Sequence, residues 1–166
     1  MDRNETRLYE IFREIGITDY EVHEHPPILT IEDADKLQLH FEGLELKNLL
    51  LKQKNPEHYF MVIIDDHRHM DLKHFKEVAG WGKVRFANEE EMISLLDVVP
   101  GAVTPLALFN DEDKQVTVVL GTEVVEAADD EIVNFHPCRY TATLSLKKWD
   151  LLKFLDFTGH EIIYEK

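Results

Sequence analysis

Gly43-Leu44-Glu45-Leu46-Lys47-Asn48-Leu49-Leu50-Leu51 reads as a loop running into a buried strand. The run Leu49, Leu50, Leu51 is apolar on both faces, as a strand in a sheet interior must be. Lys47 and Asn48 stand at its entrance, where a charge is costly unless it reaches water, a partner or an anionic ligand. A lysine stem can also snorkel, leaving Lys47 an ordinary strand-end side chain with its head in solvent. On this stretch alone both readings stand.

Working outward, Lys54-Asn55-Pro56 predicts a tight turn into a second interior strand, Tyr59-Phe60-Met61-Val62-Ile63-Ile64. Upstream, Leu8, Ile11, Phe12 and Ile15 recur on one helical face and Gly16 stops the helix over 5–15. Tyr20 and Val22 alternate as a short strand ended by His25-Pro26-Pro27, since paired prolines donate no ladder bonds. Thr30 caps a short helix reaching about Leu39, with Glu32 and Asp33 in its first turn. Asp71 caps a helix through Ala79 that turns Leu72, Phe75 and Ala79 inward. Lys83 to Phe86 is a short strand, and Asn88 starts a helix burying Met92, Leu95 and Leu96. A rigid loop, Val99 to Pro105, feeds a strand over Leu106 to Phe109, which turns back into Val116 to Leu120. A strand over Tyr140 to Leu144 places Thr141, Thr143 and Ser145 on one side; a helix from Ser145 to Thr158 and a closing strand near His160 to Tyr164 follow. Interleaved helices and strands with several short turns predict one α+β domain over residues 1–166. Its sheet is expected to be mixed, largely antiparallel and curved, with flanking helices.

Composition narrows the class. The 166 residues are 44% hydrophobic and 31% charged, which suits one soluble core, and no apolar run is long enough for a membrane span. Met1-Asp2-Arg3-Asn4-Glu5 is not a basic start followed by an apolar run, so a secretory leader is not expected. The single cysteine, Cys138, fits a reducing compartment, and a cytoplasmic location is expected. With 18 basic against 33 acidic residues the net charge is −15, which argues against a broad nonspecific nucleic-acid footprint.

Three segments put polar or conformationally special residues beside buried strands: Lys47-Asn48, the loop from Gly101 through Ala102, Val103 and Thr104 to Pro105, and Asn134-Phe135-His136-Pro137. A loop bracketed by Gly and Pro is stiff enough to aim backbone N–H and C=O groups into a cleft, where they can hold an oxyanion or a water. It can equally be a plain connection. His136 is held extended by Pro137, and a histidine at a strand entrance is commonly structural.

Together with His25-Pro26-Pro27, Thr30 and Asp71-Leu72-Lys73, these pieces resemble the YbaK / prolyl-tRNA-synthetase-associated family of aminoacyl-tRNA deacylases. They occur in the family's order over residues 20–140, and the Lys-Asn and His-Pro pairs are similar to the branch that removes alanine from proline tRNA. The resemblance implies a trans-editing hydrolase without cofactor or metal, acting on the acceptor 3′ end of tRNA(Pro). It further implies prolyl-tRNA synthetase or a tRNA carrier as partner, and no membrane. Lys47, Gly101 and His136 would be the catalytic positions. Thr30, Asn48, Ala102, Val103, Thr104, Pro105 and Asn134 would bind the substrate. The family's pattern leads one to expect an Asp near Val119-Leu120, where this chain has Gly121. Two alternatives remain: a silent binding module of the same fold, and a Cys-tRNA(Pro) deacylase. So acidic a chain would hold RNA through few phosphates, with Lys47 and, if they reach one rim, Lys52, Lys54 and Arg139.

Other chemistry reads more weakly. His23-x-His25 and His67-x-His69 could each present two imidazoles to a metal, but the second pair lies in a polar connection and His25 belongs to the His-Pro-Pro match. Cys138 beside His136 suggests a thiol nucleophile, yet a lone thiol without a base behaves as a small hydrophobe.

Overall fold

Side-chain caps fix where the helices begin. Asp2, Thr30, Asp71 and Asn88 each accept a backbone N–H three residues on, and Asn88 with Glu91 completes a capping box. The computed structural model describes residues 2–27 and 30–166; Met1, where the leader reading began, and Ile28 and Leu29 lie outside the described residues. In chain order the elements are α1 (Arg3–Ile15), β1 (Tyr20–Glu24), α2 (Ile31–Lys36), β2 (Leu44–Gln53), β3 (His58–Asp65), α3 (Leu72–Ala79), β4 (Val84–Phe86) and α4 (Glu89–Leu96). Two 3-10 helices follow, Pro100–Ala102 and Pro105–Asn110. The rest are β5 (Val116–Leu120), α5 (Thr122–Val125), β6 (Ile132–Phe135), β7 (Ala142–Lys147), α6 (Lys148–Thr158) and β8 (Ile162–Tyr164).

The strands form one mixed sheet in the order β1-β7-β6-β2-β3-β5-β8, with β4 also on β2. Four of its seven pairings are antiparallel and three parallel. β3 is apolar on both faces because both are covered. Tyr59, Met61 and Ile63 join the core under α1, α4 and α6, while Phe60, Val62 and Ile64 pack with Phe75 and Trp81. β2 pairs along one edge with β3 from Leu46 to Gln53. Its other edge is interrupted, paired with β6 only at Leu44 and Glu45 and with β4 only from Leu51 to Gln53. Lys47 and Asn48 lie in that gap.

Several expectations need correction. Leu106 to Phe109 is not a strand but part of the second 3-10 helix: Thr104 accepts the Leu106 N–H, Pro105 presets the first turn, and the segment packs among α1, α4 and α6. A four-residue apolar run has no period to separate the two. The last helix starts at Lys148 rather than Ser145, because β7 extends to Lys147 in register with β1 and β6. β6 was not anticipated as a strand at all. Leu72 is 39% exposed rather than turned inward. Thr143 and Ser145 do share a face, opposite the buried Leu144 and Leu146.

Two ion networks tie distant segments together. Arg139, just past β6, donates to Glu5 of α1 at 2.7 Å and to Glu24 of β1 at 2.8 Å, and Tyr9 also donates to Glu5. At the other end Glu165 accepts two bonds from Arg68, at 2.7 and 2.6 Å, and the Thr122 N–H at 2.8 Å, and it also bonds His74. This anchors the end of the chain to the β3–α3 connection. The Arg68 guanidinium, against the opposing effect of burial, holds the Glu165 carboxyl down to about 2. A carboxyl depressed in the folded state contributes stability above its ordinary range and loses it as pH falls toward the folded value. Glu165→Ala is therefore expected to lower unfolding free energy at neutral pH by about 2 kcal/mol, since Arg68 keeps only Glu123 at 3.0 Å and the Thr122 N–H loses its acceptor. Urea melts at pH 7 and pH 3 check this: the gap between variant and wild type should narrow in acid.

Candidate active site

The gap in β2 opens into a cleft of about 330 Å³ walled by β2, β6, β7, the α2 segment and the Pro100–Val103 turn. Its geometry starts at Gly43, whose φ of +90° and position against Ile132 leave no room for a side chain: a Cβ would stand 2.2 Å from the Ile132 carbonyl oxygen. β2 thus enters in direct backbone contact with β6. Asn134 secures the approach, donating from Nδ2 to Glu42 O at 2.8 Å and to Leu44 O at 3.0 Å, while its Oδ1 accepts from Ser145 Oγ at 2.5 Å. Both amide hydrogens are thereby used within the protein. The sequence suggests Asn134 as a substrate ligand; the structure makes it the clasp of the cleft wall.

Lys47 lines the cleft, and no ion pair holds it among the described residues. Across the strand pair, the Asp66 N–H donates to Glu45 O at 2.9 Å, which brings two acids to the same wall. Burial first, and then the neighbouring Glu45, push the Asp66 carboxyl above its usual range. Glu45 also accepts the Phe41 N–H at 2.8 Å and contacts His40 at 3.3 Å, fastening the segment after α2. Asn48 donates from Nδ2 to Val103 O at 3.2 Å, which turns its Oδ1 away as a buried acceptor without a partner among the described residues.

His136 Nδ1 lies 2.7 Å from Ala142 O. A carbonyl only accepts, so Nδ1 carries the hydrogen and Nε2 is the unprotonated nitrogen. Burial lowers the imidazole below its ordinary value, which keeps it neutral near pH 7. His25 contacts Pro26 O at 2.8 Å through Nδ1 and Thr143 Oγ1 at 2.9 Å through Nε2; by the same reasoning the Thr143 hydroxyl donates to it.

Of the residues suggested by sequence, Thr30, Lys47, Asn48, Gly101, Val103, Asn134 and His136 do line one cleft. Ala102, Thr104 and Pro105 are buried behind the turn and build its backing. Lys52 is taken up by Glu91 and Glu57, and Arg139 by Glu5 and Glu24, so neither adds a free cation to the rim. Burial pushes the Cys138 thiol up to about 12, which removes it as a nucleophile. Gly121 has no space for the expected acid, since a Cβ there would meet Ile64 Cγ2 at 2.8 Å. The cleft's acids come instead from Glu45 and Asp66, which sequence reasoning passed over along with Phe41 and Thr143. Thr143 had a signal, its place in the Thr141, Thr143, Ser145 alternation; Phe41 had none.

The family described as an aminoacyl-tRNA editing domain matches residues 25–154. This chain belongs to that family. The editing domain is 38% identical over 145 residues to the prolyl-tRNA synthetase associated domain-containing protein 1 of Mus musculus, covering 86% of this chain and 85% of that one. It is 31% identical over 142 residues to the prolyl-tRNA editing protein ProX of Acetoanaerobium sticklandii, covering 86% and 85%. Its fold matches a crystal structure described as a "putative trans-editing enzyme for prolyl tRNA synthetase", with TM-score 0.72, 18% identity and 99% and 97% coverage. Membership makes this protein an aminoacyl-tRNA deacylase.

The clasp can be tested alone. Asn134→Ala strands two backbone carbonyls and the Ser145 hydroxyl, and should cost about 2 kcal/mol of unfolding free energy. A urea melt indistinguishable from wild type would show that Gly43 and the β2–β6 pairing hold the wall unaided.

Proposed function

We propose that this editing domain removes alanine from mischarged tRNA(Pro) in trans, and that residues 1–166 work as one unit. The observation that carries the reading is the meeting in one cleft of Lys47, free of any ion pair among the described residues, and the unprotonated Nε2 of His136. Similarity to a protein named for prolyl-tRNA editing, and to one named for association with prolyl-tRNA synthetase, supports proline tRNA as the carrier. The α1 helix lies before the matched region yet is bonded through Glu5 to Arg139, which supports the single unit.

The ester linking an amino acid to the terminal ribose is already reactive, so orientation and charge stabilisation supply much of the rate. Lys47 offers an ammonium to the terminal phosphate or to the carbonyl oxygen as it gains charge. His136 Nε2 accepts a hydrogen bond from the attacking water or the vicinal ribose hydroxyl. Attack on the carbonyl carbon forms a tetrahedral centre. Its collapse breaks the bond to the ribose oxygen, which takes the proton that the attacking water gave to His136 Nε2, and the free amino acid leaves. Backbone groups of the Gly101 turn line the approach, and Asn48 Oδ1 is an acceptor for a donor on the aminoacyl group. In this reading the acyl end of the cleft acts as a second sieve, shaped to hold alanine and to turn away the bulkier proline ring carried by correctly charged tRNA.

Purified protein should therefore release alanine from Ala-tRNA(Pro) while sparing Pro-tRNA(Pro). Lys47→Ala should remove most of that activity with the circular dichroism melt unchanged. Cleavage of Cys-tRNA(Pro) with Ala-tRNA(Pro) left intact would assign the other branch, and a folded wild type without turnover would leave a binding module.

The pH profile is a separate check. The working form of His136 is neutral, and its pKa is lowered from the ordinary 6.5, so acid must go below that value before the base is lost. Single-turnover deacylation, corrected for spontaneous ester loss, should stay flat from pH 7.5 to about 6.5 and fall at lower pH. His136→Asn should abolish that acid limb.

A further inference from the structure

Against a net charge of −15, the cleft offers a phosphate, among the described residues, one cation without an ion pair, Lys47, and sets Glu45 and Asp66 beside it. Coulomb attraction is therefore a poor source of affinity for an RNA end. An interaction that needs no charge lies next to the cleft. His23, on the β1 edge strand, and Phe41, on the cleft rim, stack with ring centroids 4.9 Å apart and planes 29° from parallel. The His25 ring tilts against Phe41 at 6.1 Å and stands 6.3 Å from His136. Rings thus run without a break from the sheet edge to the reacting nitrogen.

Pairing fixes why these rings face the cleft. His23 is opposite Thr143 in the β1–β7 register, and directly opposed residues share a sheet face. The buried faces of β6 and β7 hold Val133, Phe135, Leu144 and Leu146 under α1 and α6, so Thr143 and His23 fall on the other side. Its ion contact among the described residues is Glu21 at 3.6 Å, and the His23 side chain is 35% exposed. Phe41 is likewise half-buried and is anchored through its N–H to Glu45. Unlike Phe12–Phe154 and Phe60–Trp81, which meet edge to face inside the two cores, this pair presents ring surface at a rim.

We propose that the His23–Phe41 pair is a stacking subsite for the unpaired nucleobase at the 3′ terminus of the RNA. The inference rests on the editing reading, because the base joined to the esterified ribose is the first flat surface to leave the cleft. Stacking accepts any base, requires no phosphate contact, and is unimpeded by an acidic protein. It lets a chain of this charge hold an RNA end with a shallow salt dependence.

The test uses the full chain and an uncharged RNA hairpin with an unpaired 3′ tail whose last base is 2-aminopurine, so that it does not depend on turnover. Wild type should quench the fluorophore. Phe41→Leu should weaken binding about 5- to 100-fold and lose the quench, and Phe41→Tyr should keep both. His23→Ala, on an edge strand, should weaken binding in the same direction, and it decides the matter if Phe41→Leu fails to fold. The log–log salt slope should be unchanged in these variants, since neither residue releases counterions from phosphate. Absence of quench with bound wild type, or equal quench and affinity in His23→Ala and folded Phe41→Leu, overturns the proposal. Quench without any deacylation of Ala-tRNA(Pro) would instead overturn the substrate reading and leave the stacking subsite in place.

Discussion

The site depends on one interruption in strand pairing. β2 is hydrogen-bonded along one edge to β3, but its other edge is shared by two short partners at its ends. A continuous neighbour would have closed the sheet over Lys47 and Asn48. Instead the Pro100–Val103 turn comes to the opening and takes the Asn48 amide, and α2 closes it from the front. Buried strands normally leave no backbone or charge unserved, so a gap between two short ladders is a place where ligand atoms can take the vacant positions. Gly43 and Asn134 maintain it: one permits backbone contact that any side chain would prevent, and the other bonds the two strands together just before they part.

Electrostatics divides the surface into used and available charge. Arg68, Arg85, Arg139 and Lys52 are each committed to carboxylates that the fold needs. Lys47 stands apart from these pairs, and its nearest charged company, Glu45 and Asp66, works against an incoming phosphate as much as it steadies the ammonium. Such a cleft is suited to discrimination among small acyl groups more than to grip on a polyanion. Affinity for the RNA has to come from flat apolar surface or from whatever presents the RNA.

Much of this was legible in the residues. The apolar runs of β2 and β3, the caps at Asp71 and Asn88, and the gathering of Lys47, Gly101 and His136 all left local marks. What escaped had physical reasons. Leu106 to Phe109 is too short for periodicity to tell strand from helix, and only its packing among three helices decides. β6 has four residues and a clasping Asn134 in the middle, so it reads as a polar loop. Asp66 reads as a solvated turn acid because the turn at Lys54-Asn55-Pro56 predicts the hairpin but not the register that sets Asp66 against Glu45 at the cleft wall. Phe41 follows a short helix in a mostly exposed segment, and its role on the rim arises from a partner on β1 that the chain brings up from eighteen positions earlier (41 − 23 = 18).

The brace between Glu5 and Arg139 has a further meaning. The recognisable family region runs from residue 25 to residue 154, but the molecule does not divide there. Leu8, Ile11 and Phe12 are almost wholly buried, Phe12 meets Phe154 edge to face, and β1 completes the sheet beside β7. A chain cut at the family borders would lose both outer strands, β1 and β8, expose one end of the larger core and leave Arg139, three residues beyond His136, without its buried carboxylate. The first two dozen residues are thus a splint for the loop that follows β6, tied to it by shape and by one buried carboxylate even where no motif marks them.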